Sequence, residues 1–304
     1  MRIDRATISL LPRSGTSCVD MAVKYYGRHL KEIALIWLLI AIPICGLVYY
    51  LSRWHQCDIR TAGCVLFFAT SPYGILLMLV VVPNVFGEPF TLSASRARWH
   101  RKGFVLFAKG LLARIAIGAG LVFFVLPGIW LAMRFGFLVE RNCLADEGSK
   151  LHVSATDKLL RESWGDLVVR AWGIFAFCQL LTGVMFVSFD YMLHLLFGVS
   201  TLLDRVGQSL APMESYASDE LFVAAYAEDL RYLIVEDPLV LTLMTAAALF
   251  VYPIGRLAWF FCYVDVRVRR DLWDMEIEFL NAAKRLEPSP ERCEERPQLT
   301  QVQA

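Results

Sequence analysis

The stretch FVLFAKGLLARIAIGAGLVFFVLPGIWLAMRFGFLVE (104–140) decides how this chain is built. It is apolar almost throughout and too long for one upright crossing, since a spanning helix takes about 20 residues. Pro127-Gly128 interrupts it. A proline inside a helix removes a hydrogen bond and clashes with the preceding turn, so the pair either kinks one long helix or ends one helix before the next begins. The second reading makes 104–126 a full span. It leaves 129–140 as a short one, which rises only about 1.5 Å per residue. That short segment would thin the bilayer, lie partly at the interface, or borrow turns from beyond Arg141.

The parity of the whole chain hangs on this choice, and basic residues arbitrate. Four further apolar runs, 33–51, 65–86, 167–189 and 238–263, are each long enough to cross. With a break at Pro127-Gly128 the chain has six spans. Segments 1–32, 87–103, 141–166 and 264–304 then share one side and hold 21 Lys and Arg, against 4 in segments 52–64 and 190–237. With one continuous helix the split becomes 12 against 13. Cytoplasmic loops carry the excess of Lys and Arg, so the six-span reading wins and both termini are cytoplasmic. Pro127 and Gly128 are therefore read as a tight outer turn that breaks the helix.

Composition agrees. Of 304 residues, 57% are hydrophobic and 19% are charged, below the roughly 25% charged of soluble domains. A net charge of +1 and the lack of a basic block argue against nucleic acid as a partner. Eight cysteines are too few for a disulfide scaffold. The fold class is all-α: a polytopic membrane helix bundle of about six transmembrane helices with interfacial amphipathic helices. Residues 1–286 form a single membrane domain, and the polar, proline-containing 287–304 reads as a disordered cytoplasmic tail.

Three amphipathic segments flank the spans. Residues 18–31 carry a capping-box pattern in Ser17 and Asp20, and 154–166 carry one in Ser154 and Asp157. The third continues the last span, where Arg267, Arg269 and Arg270 stand at the height of anionic head groups on the inner surface. On the outer side, 190–237 has nine acidic and two basic residues. It reads as a helix resting on the membrane surface or as an acidic docking surface for a partner. Cys57 and Cys64 share one short outer loop; their spacing permits a disulfide in an oxidising compartment and does not require it.

The sequence carries few marks of chemistry. There is no GxSxG elbow, HExxH or phosphate-binding glycine loop, and the five histidines are scattered. No metal or cofactor is implied. Gly118-Ala119-Gly120 reads as a small-residue packing face. Charged residues inside apolar spans are functional candidates. Lys109, Arg114, Arg170 and Arg256 lie toward the cytoplasmic halves, where long side chains can snorkel. Arg134, near the middle of the short span, cannot, and is the intramembrane residue to watch.

Three passages carry a resemblance: Pro127-Gly128-Ile129-Trp130-Leu131-Ala132-Met133-Arg134-Phe135, Asp157-Lys158-Leu159-Leu160-Arg161-Glu162-Ser163-Trp164, and Tyr263-Val264-Asp265-Val266-Arg267-Val268-Arg269-Arg270 with the following Asp271-Leu272-Trp273-Asp274-Met275-Glu276. They resemble a bacterial integral membrane family, the glycerophosphoryl diester phosphodiesterase membrane domain group. The resemblance implies one membrane domain of about six helices. Active members carry a separate catalytic barrel for which this chain has no room, so the resemblance implies no activity here. Glu162 and Asp271 depart from the family pattern.

Two functions follow as expectations. The first is a non-enzymatic subunit or organiser of a bacterial membrane or envelope system in the cytoplasmic membrane, with lipids and a membrane or periplasmic protein as partners. The second is a transporter or permease subunit for lipid-like or amphipathic cargo, with Arg134 binding an anionic head group.

Overall fold

The structure is a computed structural model that describes residues 14–55, 57–87, 103–144, 164–198, 231 and 235–271. Within them the elements are helices: α1 (Gly15–Arg28), α2 (Leu30–His55), α3 (Ile59–Val85), α4 (Phe104–Phe123), α5 (Val125–Gly136), α6 (Leu138–Leu144), α7 (Trp164–Phe197) and α8 (Pro238–Asp271). Five of these, α2, α3, α4, α7 and α8, are long and apolar enough to cross a membrane. This is an all-α bundle of multi-pass character.

Local chemistry explains the helix ends. Asp58 caps α3 by accepting from the Thr61 amide at 3.1 Å. That bond, reinforced by Arg60, holds its carboxyl below the ordinary range. Asp237 caps α8 through the amides of Leu239 and Val240 at 2.8 and 3.1 Å, with Pro238 at the first helical position, where no amide hydrogen is needed. Gly87 and Gly198 follow the ends of α3 and α7 with φ of 87° and 61°, the left-handed conformation that glycine adopts without strain. The cap of α1 is Ser14, whose hydroxyl accepts from the Ser17 amide at 3.3 Å. The capping box expected at Ser17 and Asp20 is thus displaced by one turn. Asp20 instead pairs with Lys24 on the exposed face at 2.8 Å.

Two buried clusters fix which helix ends share a side. Val85 and Phe86 at the end of α3, Leu106 at the start of α4, Val139 in α6, and Val264 and Val268 near the end of α8 belong to one core cluster. Val48 of α2, Ala62 of α3 and Leu241 of α8 form another at the opposite end. Segment 104–140 therefore leaves one end of the bundle and comes back to it. It is a helical hairpin and not a kinked helix. Gly120 and Gly128 meet across it so closely that a β-carbon on Gly120 would lie 2.9 Å from the Gly128 Cα. Small residues let the two backbones touch, as in other membrane helix pairs.

The break itself sits elsewhere than the sequence implied. Phe124, with φ −154° and ψ 123°, is the extended residue between α4 and α5. Pro127 and Gly128 lie in the first turn of α5, where Gly128 already donates to the Phe124 carbonyl at 3.2 Å. Proline is tolerated there because first-turn amides lack helical partners anyway. The return limb α5 has 12 residues, about 18 Å, and is too short to span alone. It is continued by α6 after a second break at Phe137.

Helix α1 is amphipathic as its sequence suggests, with one buried and one exposed face. It packs along α8, with Cys18 and Ala22 fully buried. Tyr25 donates to Asn84 Oδ1 at 2.7 Å and Tyr26 to the Phe250 carbonyl at 3.5 Å. Burial pushes the Tyr26 phenol up to about 12 and raises that of Tyr25 still further, so both stay protonated donors. The second amphipathic segment, 154–166, lies almost wholly outside the described residues. So do most of 190–237 and all of 287–304.

Candidate functional site: a lateral cleft with buried arginines

Three of the intramembrane charges, Arg114, Arg170 and Arg256, gather around α8. One group sits where α1, α7 and α8 meet. Arg170 of α7 donates to Asp265 of α8 at 2.6 Å and pairs with Asp166 one turn earlier at 2.9 Å. Its side chain is 7% exposed and that of Asp265 1%. Gly15, at the start of α1, lies over the Arg170 methylenes, where a β-carbon would be 3.2 Å from Cγ. The pair is closed on all sides and satisfied.

The second group sits deeper, around the break between α5 and α6. Arg256 of α8 approaches Glu140 of α6 at 2.8 Å, and Glu140 is fully buried. The approach is an ion pair and not an aligned hydrogen bond. Arg256 also donates to the Gly136 carbonyl at the end of α5 at 3.2 Å. The dipoles favour this arrangement: a cation meets the carbonyl end of α5, and an acid sits in the first turn of α6. Arg256 and Glu140 thus clasp the two short helices to α8. Nearby, Trp259 stacks on Phe137 with ring centroids 4.5 Å apart.

Arg114 of α4 completes this group. Its guanidinium lies over the Phe67 ring at 4.7 Å and close to the Tyr252 hydroxyl. Tyr252 donates its own proton to the Thr70 carbonyl at 2.8 Å, so toward Arg114 it can act only as an acceptor. No carboxylate among the described residues pairs with Arg114. Two arginines and one glutamate leave the group with one positive charge. A charge at a helix centre costs on the order of 3 kcal/mol on insertion scales.

Arg114 and Arg256 face a cavity of about 760 Å³ between the α4–α5 hairpin and α7, with α8 at its back. Helix α7 packs along α8 but scarcely touches α5, which leaves the cleft between them. Its walls are mainly apolar: Leu121, Ile129 and Met133 from the hairpin, Phe175 from α7, Val251 and Trp259 from α8. Its volume falls within the roughly 300–1,000 Å³ of small-molecule sites.

The residues singled out from sequence fall mostly outside this cleft. Arg134 is exposed on α5, with its guanidinium 5.2 Å from the Trp130 ring, and is not part of the cleft wall. Its neighbours one or two positions back, Ala132 and Met133, face the cleft instead. Arg114, Arg170 and Arg256, expected to snorkel, are held inside the bundle; Lys109 is exposed. Arg267 is 6% exposed with the Tyr263 ring 5.9 Å away, so it is not free to contact lipid head groups. The side chains of Arg269 and Arg270 lie outside the described residues. Cys57 and Cys64 are free thiols, half-buried and exposed respectively. No group of three metal-ligating side chains occurs among the described residues.

Sequence alone does not single out Glu140, because it stands at the end of an apolar run. One signal could have found it. Arg256 sits inside a span, and a charge there calls for an opposite charge at matching depth.

No family model, no curated protein and no solved structure matches this chain. The resemblance to the glycerophosphoryl diester phosphodiesterase membrane domain gains no support from these comparisons.

Proposed function

We propose that this chain is a subunit of a bacterial membrane system that admits a lipid-like or amphipathic molecule into the cleft between α5 and α7. It acts as a permease or lipid-handling component and not as an enzyme. The observation that carries the reading is the cavity of about 760 Å³, walled by apolar side chains and bounded by helices that barely touch. An apolar cleft between spans is solvated by whatever lipid-like molecule can enter it sideways. The partition of 21 against 4 basic residues supports a cytoplasmic membrane location with both termini inside. A purely organising role leaned on segment 190–237, whose described residues are only its two ends and Arg231.

The test is photo-crosslinking in native membranes with a diazirine-bearing acyl probe. Label should concentrate on peptides covering 129–136 and 171–182. Ala132→Trp, which fills the cleft, should remove most of it. Label spread evenly over the outward faces of α2 and α7, and unchanged in Ala132→Trp, would reject the reading.

A further inference from the structure

We infer that the occupant of the cleft is an amphipathic anion, held by its acidic head at Arg114. This deepens the proposed function and rests on it. Charge complementarity selects that occupant. Arg170 has Asp265 and Asp166, and Arg256 has Glu140. Arg114 has an aromatic face and a tyrosine oxygen but no carboxylate among the described residues. Both neighbours leave the guanidinium charged and under-neutralised. Arg256 borders the same cavity, and Glu140 cancels only one of the two positive charges. The missing negative charge has one open approach, the cleft that Arg114 itself lines.

The geometry also says which part of the ligand goes where. Arg114 lies midway along α4, about 15 Å from either end. An acidic head placed there sits deep in the bundle, and its tail must run along the apolar walls toward the gap between α5 and α7. Arg256, clasped to Glu140 and Gly136, adds field without being consumed. Gln179 of α7 faces the same space and can donate to the head. Guanidinium groups match carboxylate and phosphate geometry equally well, so the shared chemistry is a carboxylate or phosphate on a long apolar tail.

The experiment uses the full chain solubilised in a mild non-ionic detergent, with tritiated oleic acid as the probe. Oleyl phosphate and oleyl alcohol, which share its tail, serve as competitors. Hydrogen bonds to a charged group set the scale: the alcohol should compete about 10- to 100-fold more weakly than the acid or the phosphate. Whichever acidic head competes better identifies carboxylate or phosphate as the natural source. Arg114→Gln should bring acid and alcohol to the same weak level, and Arg114→Lys should recover part of the difference. Each variant is checked for the wild-type elution profile and helical content, so that misfolding is not read as lost recognition. If acid and alcohol compete equally in the wild type while Ala132→Trp abolishes both, the cleft binds amphiphiles and the role of Arg114 is overturned. If binding is not saturable, or Ala132→Trp leaves it intact, the cleft reading itself falls.

Discussion

Arg170 and Arg114 are both arginines inside apolar helices, yet the bundle houses them in opposite ways. Arg170 is sealed under the start of α1, with one carboxylate at 2.6 Å and another at 2.9 Å. Arg114 borders an open cavity and rests on a phenylalanine ring and a tyrosine oxygen. Arg256 stands between these extremes: paired with a fully buried glutamate, it still borders the cleft. The contrast separates charges that hold the helices together from a charge left for something else. A satisfied buried pair organises the fold even where it adds little net stability, but removing one partner is costly because the other charge stays behind.

The largest effect is therefore expected at the sealed site. Asp265→Ala leaves Arg170 with only the more exposed Asp166 and should destabilise the protein by about 3–5 kcal/mol. The thermal midpoint in detergent should fall, and protease sites at the start of α1 should open. An unchanged midpoint would show that the sealed pair is not structural. Glu140→Gln preserves shape but strips Arg256 of its counter-charge. Because the glutamine fills the same space and its amide oxygen, like the Gly136 carbonyl, can accept from Arg256, while Asp265→Ala leaves a cavity, the loss should be smaller, about 2–3 kcal/mol. The same scan reads it, and α5–α6 should become the first region to exchange amide hydrogens.

Gly120→Val tests the hairpin that carries one wall of the cleft. A β-carbon there meets the Gly128 backbone at 2.9 Å, so overpacking should cost about 1–3 kcal/mol. The thermal midpoint should fall, and the acyl probe should label the peptide covering 129–136 more weakly as that wall of the cleft shifts. The smallest effect on stability belongs to Arg114→Gln. Removing a charge that has no carboxylate partner should leave the stability within about 1 kcal/mol of wild type, or raise it. A loss as large as that of Asp265→Ala would erase the distinction between the two arginines.

The spans were legible because apolar length is written locally, and the reversal within 104–140 was legible because only a break there divides the basic residues unevenly between alternate loops. The residue that makes the turn was not. Proline and glycine look like breakers, but a proline in a first helical turn breaks nothing, and Phe124 takes the extended conformation ahead of it. The site was less legible still. Arg134 stood out by its position in a short span, yet its face of α5 points away from the cleft. Arg114 has the sequence position of a snorkelling side chain, but α3 and α8 bring Phe67 and Tyr252 to it. Arg267, placed by its sequence among lipid head groups, is buried beside Tyr263.

Helices α7 and α8 show where local information ends. Both contain 34 residues, and their most apolar parts have nearly the same mean hydropathy, 1.7 and 1.8. Yet 6% of that part is buried inside the bundle in α7 and 44% in α8. Sequence by itself determined that each can cross a membrane, because transfer from water to hydrocarbon depends only on the residues transferred. Lipid tails are as apolar as leucine, so hydrophobicity carries no instruction about which span lies at the centre. Tertiary structure decided that, through small residues that allow close approach and charges that need partners. It put α8 at the centre, α7 at the rim, and between α7 and the hairpin a cleft with one arginine left unpaired by any carboxylate among the described residues.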